Sequence, residues 1–157
     1  MVQLSFDGQP AEPTAVSVRA ISLTQPWATL VAIGAKTIET RSWGTSYRGP
    51  LAIHASKAFG YDEQLLCYSE PFRWVLQSAG FVDPIQLPRG AVLAIARLVG
   101  CRRVDRRTEL PSVLSNEFAF GDFSEGRYLW DLEVLERLSP PQNAKGALGI
   151  WHWSPRA

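Results

Sequence analysis

The chain has 157 residues, of which 46 % are hydrophobic and 20 % charged, with six tryptophans. That is enough for one domain with a sizeable core, and it excludes wholesale disorder. A formal net charge of +1 excludes a global field that draws in polyanions, so any nucleic-acid contact has to come from a local patch.

The first residues, "MVQLSFDGQPAEPTAV", carry neither a basic head nor a long apolar run, so no signal peptide is expected. Residues 1–18 read as an N-terminal arm, and 19–157 as a single domain. A strand begins at Ala20 and alternates Ile21 and Leu23 with Ser22 and Thr24. Pro26 suits the first position of a helix behind a polar cap, Thr24 or Gln25. Trp27, Leu30 and Val31, spaced i, i+3, i+4, predict its buried face, and Gly34 its left-handed end. "KTIETR" then alternates as a strand, with Thr37, Glu39 and Arg41 on one face and Ile38 on the other. "YRGP" is turn chemistry, and "LAIHAS" is a strand with Leu51, Ile53 and Ala55 facing one way, His54 and Ser56 the other. Residues 62–80 have a helical pattern that Pro71 divides, so 58–90 reads as a helical insert. "AVLAIARLVGC", "RYLWDLEVLERL" and "GALGIWHW" predict three further strands. Strands with a few early helices, rather than regular βαβ alternation, indicate an α+β domain or a small barrel with flanking helices.

Cys67 and Cys101 stand 34 residues apart and form no zinc pattern with His54 and His152. No metal, no cofactor and no structural disulfide are expected. No run of about 18 apolar residues occurs, so no membrane partner is expected. The default setting is cytoplasmic.

The chemistry-bearing residues concentrate between Gly34 and Lys57. Glu39 and Arg41, two apart on a strand, can orient a substrate, shuttle protons beside an anion, or form an ordinary structural ion pair. Lys36 fits a pocket mouth that meets phosphate, and equally a solvated charge behind a helix. "SWGTSYRGP" interleaves Trp43, Tyr47 and Arg48, which suits base stacking and phosphate grip, or a loop that folds its own tryptophan inward. His54 and Ser56 lie too parallel for a nucleophile and its base, so a structural histidine competes with a functional one. "CRRVDRR" is a basic stretch, and residues 109–136 set seven acids against Arg127, which predicts an electrically two-sided molecule. Asp122 and Arg127, in "FGDFSEGRYLWDL", are polar candidates that a capped turn explains as well.

The stretches "ISLTQPWATLVAIGAKTIETRSW", "YRGPLAIHASK", "FGDFSEGRYLWDL" and "ALGIWHW" together resemble the ASCH family of the PUA-like superfamily. Its GxKxxExR signature stands here as Gly34, Lys36, Glu39 and Arg41. The resemblance runs from Ile21 to Trp153 and implies a small PUA-like β-barrel with flanking helices and a cleft lined by the signature. It also implies a partner that is RNA, DNA or a nucleotide. One bacterial branch hydrolyses N4-acetylcytidine with a lysine, a threonine and a later glutamate, and another member is described as a ribonuclease. Carried onto this chain, the lysine is Lys36, the threonine position holds Glu39, and the glutamate position falls at Ala96 or Arg97. That mechanism therefore does not transfer intact.

Three readings follow. In the first, the domain binds nucleic acid, RNA before duplex DNA, or a modified nucleotide. Its cleft is made by Lys36, Glu39, Arg41, Trp27, Trp43, Arg48, His54, Ser56 and Lys57. Lys36 and Arg41 hold phosphate, Glu39 reads an exocyclic amine or orders Arg41, and Trp27 or Trp43 stacks a base. In the second, the domain is an enzyme acting on RNA or nucleosides, with Lys36, Glu39 and His54 as catalytic groups. In the third, it is a protein-interaction adaptor that docks through the 58–90 insert.

Overall fold

A computed structural model describes residues 16–156. In chain order the elements are β1 (Val18–Leu23), α1 (Trp27–Ala32), β2 (Ile38–Arg41), β3 (Gly49–Ala55), α2 (Tyr61–Leu66) and α3 (Phe72–Ser78). A 3₁₀ turn at Pro84–Gln86 follows, then β4 (Ala91–Arg103), α4 (Asn116–Ala119), β5 (Tyr128–Asn143) and β6 (Trp151–Trp153). The fold is α+β, built on one mixed six-stranded sheet in the order β2-β5-β4-β3-β1-β6. Among the described residues only the β1–β3 pair is parallel, and its register sets Ser22 beside His54.

The sheet is curled. β1 and β2 stand three strands apart in the sheet order, yet residues of both line one cavity. Register shifts in the β3–β4 and β4–β5 pairs supply local bends of the kind bulges give. Helix α1 fills the hollow of the curl. Ala28, Val31 and Ala32 pack against Ile21, Leu51, Ile53, Leu98 and Trp130. Leu30, on its other side, joins Cys67, Phe72, Leu76, Leu87 and Phe120 in a second core. Six residues of helix gain little from intrinsic propensity, so this two-sided burial holds α1 in place.

Local chemistry explains the helix ends. Gln25 is the effective cap of α1: its Oε1 accepts the Thr29 N–H at 3.0 Å, and its Nε2 donates to Thr29 Oγ1 and to the Pro88 carbonyl. Pro26 itself sits one residue before the helix rather than at its first position. Gly34 takes φ +79° and reverses the chain into β2, as expected from a helix-ending glycine. The insert divides at Pro71 into α2 and α3, and Phe72 and Leu76 of α3 carry it onto the second core.

Three sequence expectations change at their edges. The arm falls largely outside the described residues, and of its described part Val18 already belongs to β1. β4 continues to Arg103, two residues beyond the expected strand end at Cys101. "GALGIWHW" is strand only at Trp151–Trp153, because Gly149 adopts φ +67° and turns the chain just before it. Among the described residues no helix is long and apolar enough to cross a membrane, and Cys67 and Cys101 are free thiols.

Candidate functional site

β2 carries the signature. Its alternation sends Ile38 into a small core with Val104, Phe123 and Leu129, and turns Glu39 and Arg41 the other way. Arg41 Nη1 donates to Glu39 Oε2 at 3.2 Å, and the Thr40 N–H donates to Glu39 Oε1 at 2.9 Å. Each carboxylate oxygen therefore keeps a lone pair, and Arg41 keeps most of its five N–H groups. The Arg41 guanidinium also lies 5.4 Å from the Trp43 ring centroid, which limits its swing.

Lys36 is shut away from both cavities described below. It is 1 % exposed and donates from Nζ to the carbonyls of Ile38 and Phe120. Its ammonium stands 3.9 Å from Glu39 Oε1. Burial pushes the Lys36 pKa down, while Glu39 and then Glu117 pull it back up. Both sequence alternatives for Lys36, phosphate contact and solvated charge, give way to a third. It is a buried ammonium that ties β2 to the Phe120 turn and backs Glu39 from behind. Glu117 of α4 closes the same corner by accepting the backbone N–H groups of Thr37 and Ile38.

Glu39 and Arg41 face a cavity of about 520 Å³, within the usual range for small-molecule sites. Ser22, Leu23, Thr24 and Trp27 form one wall, Glu39, Thr40 and Arg41 another, and Phe120, Asp122 and Arg127 a third. Trp27 is braced edge-on by Phe72 at 6.4 Å, so one aromatic face in this wall is held in place. Arg127 Nη2 donates to the Thr40 carbonyl at 2.9 Å. Its buried Nε has no hydrogen-bond partner and lies 3.6 Å from Asp122 Oδ2. Ser124, through its hydroxyl and its N–H, holds the Asp122 carboxyl below the usual range. Two carboxylates and two guanidiniums thus share one hollow.

A second cavity, of about 970 Å³, opens on the other side of Ser22 and Ser56, which line both. Its inner surface is a closed relay. Trp151 Nε1 donates to Ser22 Oγ at 3.1 Å, Ser22 Oγ meets His54 Nδ1 at 2.9 Å, and His54 Nε2 meets the Ala144 carbonyl at 2.8 Å. That carbonyl can only accept, so the Nε2–H donates to it and Nδ1 accepts from the serine. His54 is 2 % exposed and burial lowers its pKa. Both ring nitrogens are engaged within the fold. The enzyme reading joined Lys36, Glu39 and His54. The fold brings the first two within 3.9 Å and puts the third on the other cavity.

The remaining sequence candidates divide. Ser56 and Lys57 line the second cavity, Ser56 the first as well. Trp43 lines neither; it packs edge-on against Trp130 at 4.9 Å and accepts the Trp130 indole N–H on its carbonyl. Arg48 turns back on its own loop, donating to the carbonyls of Thr45 and Tyr47. Ala96 is core and Arg97 exposed, so no carboxylate stands at the third position of the amidohydrolase pattern. Of the basic stretch "CRRVDRR", one arginine is drawn into the sheet's own ion pairing with the acidic 109–136 stretch. Arg102 and Arg103 pair with Leu129 and Tyr128 along the β4–β5 ladder, and Arg102 forms a two-pronged pair with Asp131. Sequence reasoning missed Ser22, Thr40, Arg89, Lys145 and Arg156 as lining residues. They come from five separate segments, with no local pattern to join them. Among the described residues no three His, Cys, Asp or Glu side chains gather as a metal site.

Activating signal cointegrator 1 from Homo sapiens and its Mus musculus counterpart are each 32 % identical to the chain over 81 residues. The match covers 52 % of this chain and 14 % of each relative, so the chain spans only a small part of them. Residues 21–142 match the ASCH domain, a stretch that takes in α1, the signature strand and both long strands. With most of its length matched in this way, the chain belongs to the ASCH domain family.

Proposed function

We propose that the chain is a nucleic-acid-binding domain, for RNA before DNA, that takes a single unstacked base and its phosphate into the signature cavity. The observation that carries the reading is the Glu39–Arg41 pair, facing a hollow of about 520 Å³ with Trp27 in its wall. Glu39 and Asp122 accept exocyclic amines and ring N–H groups. Arg41 and Arg127 donate to base carbonyls or phosphate. Trp27 gives a stacking face, worth about 1–3 kcal/mol per base. A concave hollow suits a base splayed from a single strand better than one held in a duplex. The curled sheet around α1 supports the PUA-like barrel expected of the family, formed by residues 19–157 with 58–90 inserted. Free thiols at Cys67 and Cys101 suit a cytoplasmic setting. The relatives' name speaks of coactivation rather than hydrolysis, which favours binding over turnover.

The test is fluorescence anisotropy with a labelled eight-nucleotide RNA of mixed sequence, and calorimetry with cytidine monophosphate. Arg41→Ala should weaken both by about 10- to 100-fold, the worth of a charged hydrogen bond. Equal binding by wild type and variant would refute the site. Release of product from N4-acetylcytidine or RNA, abolished by Glu39→Gln, would replace binding with catalysis.

A further inference from the structure

The second cavity is chemically unlike the first. Lys57, Arg89, Lys145 and Arg156 line it, and among the described residues no aspartate or glutamate does. Among the described residues none of the four has a carboxylate within 4.0 Å. Cations gathered without a counter-charge repel one another, and the repulsion is relieved when an anion enters. The chain as a whole carries only +1, so this local excess is not a by-product of a basic protein.

The fold holds these cations in place. Gly90 adopts φ +61°, and a Cβ there would stand 3.0 Å from Lys57 Cγ, so the lysine stem lies flat across it. Arg89 donates to the Lys57 carbonyl at 3.5 Å and lies over the Phe59 ring at 5.8 Å. Gln142 clasps the backbone of Arg156 from both sides, accepting its N–H at 2.7 Å. Lys145 rides on the 143–148 segment. That segment presses so close that a Cβ on Gly146 would stand 2.5 Å from Ser22 Oγ and 2.6 Å from His54 Cε1. Leu148, 99 % exposed, projects from the same segment at the rim, an apolar cover without anything to cover.

We infer that this basic cavity is the phosphodiester subsite of a single-stranded RNA whose recognised base occupies the signature cavity. The two hollows adjoin, with Ser22 and Ser56 lining both, so neighbouring nucleotides of one strand can occupy the two. One hollow has balanced charge and an aromatic face, which reads a base. The other has unopposed cations and a leucine, which takes phosphates and the face of a sugar. The natural ligand is therefore an oligonucleotide rather than a mononucleotide. The inference rests on the base-site reading for the first nucleotide, while its own residues are separate from that site.

The experiment compares wild type with the triple variant Lys57→Ala, Arg89→Ala, Lys145→Ala, titrating the same labelled octanucleotide between 50 and 200 mM KCl. Each lost phosphate contact on a single strand lowers the slope of log K against log salt by about 0.7. The triple variant should therefore have a slope smaller by about 2, and wild type should lose roughly 20-fold more affinity than the variant across that salt range. Cytidine monophosphate should bind both alike. The variant Lys57→Arg, Lys145→Arg should keep the wild-type slope.

Equal slopes for wild type and triple variant would overturn the inference, and so would an equal loss of cytidine monophosphate in the triple variant. Wild type that ignores RNA but binds vesicles containing 30 % phosphatidylserine would assign the cavity to a membrane surface instead. A flattened slope in the triple variant together with unaltered RNA binding by Arg41→Ala would keep the phosphate subsite and remove the base site.

Discussion

The two cavities are neighbours with opposite electrostatic habits. In the signature cavity every charge has an answer: Glu39 pairs with Arg41, Asp122 faces Arg127, and Lys36 backs the first pair from within the protein. In the basic cavity four cationic residues line one hollow, with no acid in the lining among the described residues. A balanced site discriminates, because each polar group holds the next in one orientation and a poorly matched ligand leaves something unpaired. An unbalanced site attracts, with little regard to which base follows. On the proposed reading, selectivity lies in one hollow and adhesion in the other.

The comparison breaks first at Lys36. If it is the internal support of the balanced cavity, Lys36→Ala leaves the Ile38 and Phe120 carbonyls and Glu39 short of a partner and opens a void. Urea unfolding should then show a loss of about 3–5 kcal/mol. A loss under about 1 kcal/mol combined with abolished RNA binding would mean that Lys36 reaches ligand after all.

A smaller effect comes from Gly146→Ala. Its methyl group overlaps Ser22 and His54 and has to push the 143–148 segment outward, costing about 1–3 kcal/mol by thermal melting. Because Lys145 moves with that segment, the RNA salt slope should fall while cytidine monophosphate binding stays. Loss of both ligands together would show that the common wall, not the segment, had given way.

The smallest effect is the acid response of His54. Burial holds its folded pKa below the usual 6.5, so under that pH the unfolded chain takes up a proton that the folded one refuses. The stabilisation is complete above about pH 6.5 and drains as pH falls towards the lowered value, with a slope of at most about 1.4 kcal/mol per pH unit. His54→Gln should remove that part of the slope between pH 7 and 5 in urea titrations. An identical slope in the variant would mean that the histidine is charged in the fold.

The signature was legible because its residues are local. Glu39 and Arg41 are two apart on a strand, and the period-two rule alone puts them on one face. Gly34 and Pro71 were legible for the same reason, since a helix end and a helix break are properties of the residue itself. Lys36 was misplaced because what buries it is a carbonyl 84 positions later. Trp43 was ambiguous because only pairing of β2 with β5 brings Trp130 beneath it. The basic cavity was legible only through His54, Ser56 and Lys57 on one strand end, since Arg89, Lys145 and Arg156 share no motif with them. The stretch that looked basic, "CRRVDRR", is partly neutralised by the strand next to it. Sequence reads charge along the chain, and the sheet redistributes it across strands.

The parallel pairing of β1 with β3 has a consequence for how such a domain can change. Ser22 meets His54 only in this register, and a slip of β1 by one residue would turn Ser22 to the opposite surface and leave His54 behind. Both hollows would lose their shared partition in one stroke. New ligand preferences can therefore arise only by exchanging side chains around the rims, while the seam between these two strands behaves as an all-or-nothing hinge pin for the whole recognition surface.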